Sequence, residues 1–454
     1  MAMLDMEQLV PDAARSVLSQ LVDAGFEAYV VGGCMRDALL GLIPHDWDMT
    51  TNATPAQMKA AVHLPSVDTG IKHGTVTFIA QGEPIEVTTF RSDGAYSDGR
   101  HPDSVSFART LEEDLARRDF TVNAMAWSPR TGIVDPFGGA SDLASGLLRC
   151  VGDAPTRLSE DGLRIMRGLR IAATYGFAIE PSTAAAIHQK RNMLEAVSAE
   201  RIAIELARMM AASDGAHLRA IIDAFSDVIF QILPELAETD GYDQRNPHHD
   251  RNLWKHLLDT MAGVEPDTAL RLAALLHDVG KPVCRIIDDE GIAHYAGHPQ
   301  ASASLARTML RRLKFPRKTI DEVAALIERH DDWPALTPKA ARRFLVRCGS
   351  EEAARKTLAL MRADRNAQAP LPGTHNAAAF DAFEALLDEA LAAQTALSVA
   401  DLQISGRDLI ERGWQPGPEL GTELARLFDL VIAGELPNER AALLAASEPA
   451  PDCI

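Results

Sequence analysis

Near Arg149 the hydrophobic pattern of this chain changes period. Before that point, short apolar segments such as Glu27–Val31, Thr75–Ala80 and Ile85–Phe90 alternate with Gly, Pro and Asp, as strands alternate with turns. Helical spacing there is confined to Met6–Ala24 and Met35–Leu40. Beyond Arg149, apolar residues recur at helical spacing almost to the end. A chain with two periods is neither one sheet nor one bundle, and the expected class is α+β, a mixed head followed by a helical neck, body and tail. The 454 residues also exceed the roughly 250–300 at which a single core stops growing. Turn chemistry near Asp240–His249 and Asn366–Asn376 suggests divisions at 1–149, 150–238, 239–368 and 369–454.

The head carries the densest chemistry. Val30-Val31-Gly32-Gly33, followed by Arg36-Asp37, puts a glycine turn between a strand and a helix, where backbone can approach a phosphate closely. His45-Asp46-Trp47-Asp48 follows; on a strand, Asp46 and Asp48 would share a face. Two such carboxylates can hold divalent cations, although a lone Asp-x-Asp is more often a solvated turn. The glycine turn just upstream favours the first reading. Arg117-Arg118-Asp119-Phe120-Thr121-Val122-Asn123-Ala124 gathers two cations, an acid and an amide; Phe120, Val122 and Ala124 alternate as a half-buried strand would.

These motifs, with Glu86-Val-Thr-Thr-Phe-Arg91, resemble the class II tRNA nucleotidyltransferases, the family of CCA-adding enzymes and bacterial poly(A) polymerases. The resemblance implies a polymerase-β-like nucleotidyltransferase head. Asp46 and Asp48 would hold two Mg²⁺ ions while an RNA 3′-hydroxyl attacks the α-phosphate of CTP or ATP and pyrophosphate leaves. Gly32, Gly33, Arg36 and Asp37 would engage the triphosphate, and Arg117, Arg118, Asp119 and Asn123 belong to the same nucleotide site. Glu86 is either a third carboxylate near the metals or a structural strand residue. Met35 stands where many relatives carry valine, but the polar positions are intact.

In the neck, Glu160-Asp161-Gly162-Leu163-Arg164-Ile165-Met166-Arg167-Gly168-Leu169-Arg170 lies on a helical run, with Asp161, Arg164 and Arg167 near one face. By spacing alone this is as readily an intrahelical ion pair, worth roughly 0.3–0.5 kcal/mol. It matches the family's nucleotide-selecting motif, which implies that Asp161 accepts from the exocyclic amino group of cytosine or adenine while Arg164 donates to the ring. Uracil and guanine present a carbonyl there, and an unpaired buried polar group costs about 1–3 kcal/mol. Arg91–Val105 resembles the family's flexible loop, which favours addition of the terminal A. Val197-Ser-Ala-Glu200-Arg201…Glu205-Leu-Ala-Arg208 matches a later helical motif.

In the body, an apolar helix runs into His277-Asp278-Val279-Gly280-Lys281-Pro282, with His256 one helix earlier. This is similar to the HD phosphohydrolase superfamily and implies an HD domain in which His256, His277, Asp278 and Asp364 bind a divalent metal. His298 and His330 would be ligands of a second site. Imidazole and carboxylate suit Zn, Ni, Mn or Mg, and a domain keeping its ligands as scaffold is the competing reading. Leu402-Gln-Ile-Ser405-Gly406-Arg407-Asp408 resembles the family's C-terminal tRNA-binding region.

The formal net charge is −19, which argues against indiscriminate polyanion binding. Residues 301–350 nevertheless hold 11 Lys+Arg against 5 acids, so a limited basic strip including Arg311 and Arg312 is the expected tRNA contact. The five cysteines are scattered and form no CxxC pair, the N-terminus carries acid where a signal peptide needs bases, and no apolar run approaches the ~18 residues of a span; a cytoplasmic, membrane-free enzyme is expected. Its partners would be tRNA, CTP and ATP. The rivals are a poly(A) polymerase, an HD hydrolase with the head kept for RNA binding, and a non-catalytic RNA-binding protein.

Overall fold

The computed structural model describes residues 6–71, 74–93, 105–245, 251–368, 377–393 and 396–447. Most of the expected flexible loop, the prolines near 370 and Cys453 lie outside them. Two compact units are present, residues 1–234 with 312–314, and 235–311 with 315–454.

The first unit opens with helices α1 (Met6–Leu9) and α2 (Asp12–Asp23), one expected helix broken by Pro11, whose ring cannot continue it. Among the described residues nine strands of the head follow among short helices, β1 (Ala28–Val31), β2 (Met49–Thr51), β3 (Ser66–Gly70), β4 (Thr75–Ala80), β5 (Glu83–Thr89), β6 (Arg91–Asp93), β7 (Val105–Phe107), β8 (Ala126–Ser128) and β9 (Gly132–Val134), and a short parallel pair joins Leu147–Leu148 to Ala178–Ile179 in the neck. Seven form one sheet in the order β3-β4-β5-β2-β1-β8-β9, and β6 pairs with β7 alone. β1 runs antiparallel to β2 and β8, whereas β2 and β5 are parallel. The interleaved helices are α3 (Gly33–Leu39), α4 (Pro55–Ala61), α5 (Leu111–Ala116) and α6 (Gly139–Ala144). Tyr29, Val31, Phe90, Leu115, Ala124 and Ala126 belong to the core that joins β1 to α5.

Two strand expectations are corrected. Asp46 and Asp48 precede β2 rather than lie in it, though the Val31 amide still donates to the Asp48 carbonyl at 3.0 Å and extends the ladder. The intended consequence survives, because Trp47 is buried while Asp46 and Asp48 are exposed. Thr121–Asn123 is a 3₁₀ turn, and Phe120, Val122 and Ala124 are all fully buried with their neighbours. Phe120, Thr121, Val122 and Ala124 are all enclosed and only Asn123 reaches the cavity, so the apolar alternation does not mark a buried and a solvent face.

The neck comprises α7 (Ala154–Glu160), α8 (Leu163–Tyr175), α9 (Pro181–Lys190), α10 (Ala199–Met210), α11 (Gly215–Ala224) and α12 (Ser226–Ile232). The expected continuous helix through Glu160–Arg170 breaks at Asp161-Gly162. A Cβ on Gly162 would lie 2.6 Å from the Met193 carbonyl oxygen, so only glycine fits at this corner.

Among its described residues the second unit is helical apart from one two-stranded pair, Ile286–Ile287 with Ala293–His294. Its helices are α13 (Leu253–Ala262), α14 (Thr268–Leu276), α15 (Lys281–Cys284), α16 (His298–Arg312), α17 (Arg317–Arg329), α18 (Pro338–Cys348), α19 (Glu351–Asn366), α20 (Ala377–Ala392), α21 (Gly406–Ile410), α22 (Pro418–Ala433) and α23 (Arg440–Ala446). Phe344, Leu358, Phe380 and Phe383 centre the packing of α18, α19 and α20, and Leu409, Trp414, Leu427 and Leu443 that of the C-terminal helices. Among the described residues, no helix is long and apolar enough to cross a membrane.

Candidate functional site

Gly32, Gly33, Arg36, Asp37, Asp46, Asp48, Arg117, Arg118, Asp119, Asn123, Asp161, Arg164 and Arg167 all line one cavity of about 1060 Å³. β1 delivers the chain to Gly32, whose φ of +92° is open to glycine and whose Cβ, if present, would lie 2.9 Å from Arg118 Nη1. One turn on, Arg36 is buried and fully engaged. Its Nε and Nη2 donate to Asp37 Oδ1 at 2.9 and 2.8 Å, and Nη1 donates to Asn123 Oδ1 at 2.7 Å. Nη2 also reaches the Tyr175 hydroxyl at 2.6 Å, and the guanidinium stacks 4.3 Å over the Tyr175 ring. The Tyr175 hydroxyl in turn donates to Asp37 at 2.7 Å.

A relay of charge runs from this turn into the neck. Asn123 Nδ2 and the Phe120 amide donate to Asp119 Oδ1 at 3.0 and 2.8 Å, and Arg167 Nη1 donates to Asp119 Oδ2 at 2.9 Å. Burial alone would lift the Asp119 carboxyl, but Arg167 and these donors hold it well below the usual carboxylate range. Arg167 and Arg170 converge on the buried Glu205 of α10, at 3.6 and 2.5 Å. Behind the cavity, the fully buried Asp114 accepts from Arg117 Nη2 at 2.8 Å and faces Arg118 Nη2 at 3.5 Å. Those arginines outweigh its burial and lower its carboxyl.

Asp46 and Asp48 stand at the cavity edge, with Glu86 beside Asp48 in an adjoining hollow of about 150 Å³. Crowding by protein atoms raises the Asp48 carboxyl, Arg118 opposes, and Glu86 and Asp46 add to the rise. Negative charge is thus in excess at a pair of hard oxygen donors, which is the environment a divalent cation relieves. These residues fit the metals that the fold implies.

Asp161 and Arg164 do not pair with one another, in contrast to the intrahelical alternative. Arg164, buried, donates to Glu160, to the Arg157 carbonyl at 2.7 Å and to the Arg117 carbonyl at 3.0 Å. Asp161 is held by Arg201 at 2.8 Å. Tyr175, Asp114, Glu205 and Arg170 were missed as site residues. Tyr175 and Asp114 sit in ordinary helical runs without a motif of their own, whereas Glu205 belonged to a motif whose role spacing could not reveal.

In the second unit, His256 (α13), His277 and Asp278 (after α14), and Asp364 (α19) converge, and Asp278 is shared with His298 and His330. His256 Nε2 lies 3.0 Å from Asp364 Oδ1 and 3.4 Å from Asp278 Oδ2. His277 Nε2 lies 3.3 Å from Asp278 Oδ2, and His298 Nε2 lies 3.1 Å from its Oδ1. The Nδ1 atoms of His277, His298 and His330 lie 2.8, 2.8 and 2.7 Å from backbone carbonyls, to which they donate. That fixes the tautomer and turns the Nε2 lone pairs inward. Pairs of Nε2 atoms then face each other at 3.2 Å (His256, His277) and 3.4 Å (His298, His330), contacts that a shared proton or a cation between them would satisfy. Against its burial, the carboxylates of Asp278 and Asp364 hold His277 up at about 10, so in the absence of a metal a proton on Nε2 answers the same negative charge that a metal cation would. Asp278 falls well below its usual range despite burial, through Lys281 and His277. A cavity of about 430 Å³ opens beside this nest, lined also by Lys281 and Arg365.

Arg311 and Arg312 end α16, both exposed. Part of the local basic excess is neutralised: Arg307 pairs with Glu328 at 2.8 Å, Lys339 with Glu435 at 3.5 Å, and Arg347 with Asp332.

Comparison with known proteins bears on the whole chain. Residues 28–149 match the poly A polymerase head domain, 176–239 the probable RNA- and SrmB-binding site of polymerase A, and 293–447 a putative second domain of tRNA nucleotidyltransferases. The CCA-adding enzyme of Latilactobacillus sakei is 35% identical over 96% of this chain and 97% of its own length. The Bacillus stearothermophilus CCA-adding enzyme, solved in complex with CTP, superposes with a TM-score of 0.67 at 30% identity, covering 98% of this chain and 97% of that one. The Thermotoga maritima CCA-adding enzyme complexed with tRNA shares the fold, with a TM-score of 0.60 at 20% identity over 98% and 99% of the two chains. With motifs, cavity and full-length similarity in agreement, this chain belongs to the CCA-adding enzymes, the tRNA nucleotidyltransferase family.

Proposed function

We propose that the chain adds C, C and A to tRNA 3′ ends from CTP and ATP without a nucleic-acid template. In each cycle the RNA 3′-oxygen forms a bond to the α-phosphorus, the bond from that phosphorus to the bridging oxygen breaks, and pyrophosphate leaves. The observation that carries the reading is the single cavity joining the Asp46–Asp48 carboxylates to the Asp161–Arg164 edge. Gly32 and Gly33 keep the turn free of side chains where the triphosphate would lie, with Arg36 and Asp37 beside it. Arg117 and Arg118, anchored by Asp114, add fixed positive charge. Asp119, Asn123 and Arg167 tie this subsite to the helix that reads the base. Asp46 and Asp48 would hold two Mg²⁺ ions, which when bound supply charge neutralisation on the phosphates and a more acidic 3′-hydroxyl.

Incubation with tRNA lacking its CCA, plus CTP and ATP, tests the reading. Addition that stops after C-C-A supports it, and a long A tail would replace it with poly(A) polymerase. The tRNA contact is proposed on the exposed end of α16: charge reversal at Arg311 and Arg312 weakens binding and flattens its salt dependence. A cytoplasmic location belongs to the same proposal, on the ground of the tRNA substrate. Head 1–149, neck 150–238, body 239–368 and tail 369–454 remain the proposed division.

The imidazole nest favours a second reading for the body, an HD-type centre binding a divalent metal through His256, His277, Asp278 and Asp364, with His298 and His330 at a second position. Metal-dependent release of phosphate from a generic phosphoester, lost in Asp278→Ala, distinguishes a hydrolase from a metal-stabilised scaffold.

A further inference from the structure

One contact in the head and neck cavity plays no part in the reaction outlined above. Arg201, in the first turn of α10, closes on Asp161: Nη2 donates to Oδ2 at 2.8 Å, and Nη1 faces Oδ1 at 3.4 Å. Their side chains are 25% and 15% exposed, and both line the cavity. Asp161 Oδ1 also accepts from the Leu163 amide at 3.0 Å. We propose that Arg201 is a positioning residue for base choice, pinning the Asp161 carboxylate so that one acceptor site on Oδ2 faces the incoming base. This rests on Asp161 being the base reader.

The argument is one of lone pairs. An ionised carboxylate offers about four acceptor positions. The planar guanidinium takes one on each oxygen, a pairing with strong directional preference. The Leu163 amide takes the second on Oδ1, which leaves one on Oδ2. A single acceptor matches a single N–H of the exocyclic amino group of cytosine or adenine, whereas uracil and guanine would bring a carbonyl against it.

The backbone beneath is closely packed, since even a Cβ on Gly162 would lie 2.6 Å from the Met193 carbonyl oxygen. What stays soft is the terminal carboxylate torsion, which has a broad, roughly two-fold profile. Without Arg201 that torsion is restrained by the Leu163 amide alone. The carboxylate can then turn aside and let water meet a uracil or guanine carbonyl. Arg164 is held by other groups, Glu160 and the carbonyls of Arg157 and Arg117, so Arg201 acts on the Asp161 half of the pair.

The test uses the full chain and tRNA acceptors lacking CCA. The readout is the ratio of kcat/KM for CTP over UTP in Arg201→Gln, Arg201→Lys, Asp161→Ala and the double variant Asp161→Ala/Arg201→Gln. Arg201→Gln is expected to lower the ratio about tenfold with native tRNA affinity and thermal midpoint, and Lys to recover part of it. In the Asp161→Ala background, Arg201→Gln should change the ratio no further. Should the Gln variant fail to fold, the Lys variant is compared directly with the unmodified chain, with a severalfold drop expected. A relaxed ratio in Asp161→Ala with no change in the Arg201 variants overturns the proposal, as does an additive effect in the double variant. An unchanged ratio in Asp161→Ala overturns the assignment of Asp161 itself, and this inference with it.

Discussion

Asp48 in the head and Asp278 in the body are both presented as metal-holding carboxylates, yet their surroundings push them in opposite directions. Asp48 is exposed at a cavity edge, and crowding with Glu86 and Asp46 raises its carboxyl although Arg118 stands near. Asp278 is fully buried, which by itself would raise it, but Lys281 and the imidazoles around it hold it far down. Crowding by protein raises both carboxyls; the difference teaches that the charges facing a carboxylate decide whether that rise stands, as at Asp48, or is reversed, as at Asp278. The head cavity keeps two acids short of positive charge and latches most of its arginines to other acids, so it suits a ligand that arrives with cations and a polyphosphate. The body nest turns fixed Nε2 lone pairs on one shared carboxylate, so it suits a bare cation.

The sharpest way to break the comparison is to remove each acid. Asp48→Ala should lower nucleotide incorporation by at least about a thousandfold, roughly 4 kcal/mol of barrier, in a single-turnover assay, while metal retained by the body is unchanged. Asp278→Ala should do the reverse: elemental analysis finds the body metal lost after dialysis, and C-C-A addition stays within about twofold. Cross-talk in either direction would show that the two sites are not independent.

A third measurement sharpens the head side. Asp161→Ala should relax the preference for CTP over UTP by about 1–3 kcal/mol, read as the ratio of kcat/KM, with far less loss in the rate of CTP incorporation than Asp48→Ala. The smallest effect concerns a purely structural carboxylate. Glu180 caps α9 by accepting from the Thr183 amide at 2.8 Å, and although burial opposes, Ser182 and Thr183 hold it at about 2. A carboxyl depressed in the folded state stabilises above its unfolded value near 4.5, and that contribution fades as pH falls toward 2. Glu180→Gln should therefore cost about 1 kcal/mol at pH 7 and progressively less from pH 4.5 down through pH 2, as followed by denaturant unfolding across that range.

Residue by residue, legibility divides along the same line as the two sites. The Gly32-Gly33 turn, the Asp46-x-Asp48 pair and the His277-Asp278 step could be recognised because each is a short contiguous motif whose spacing already sets its geometry. Asp46 and Asp48 share a face even though they precede β2, since extended backbone alternates whether or not a ladder is assigned. Phe120–Ala124 misled for the opposite reason, because apolar alternation there does not mark a buried and a solvent face. The latching of Arg36 by Tyr175, of Arg117 by Asp114 and of Arg170 by Glu205 was out of reach, since nothing in the spacing of an ordinary helical run says which neighbour a side chain will meet.

By itself the sequence determined the mixed head and helical remainder and the family, because periodicity and short motifs are local properties of the chain. Only the tertiary structure decided that Asp161 belongs to Arg201 and Arg164 to Glu160, that Arg117 and Arg118 lean on Asp114, and that Asp278 serves two groups of histidines. Those pairings depend on which helices pack together. A charge 40 positions away, as Arg201 is from Asp161, becomes a neighbour only once burial has paid the entropy of bringing it there.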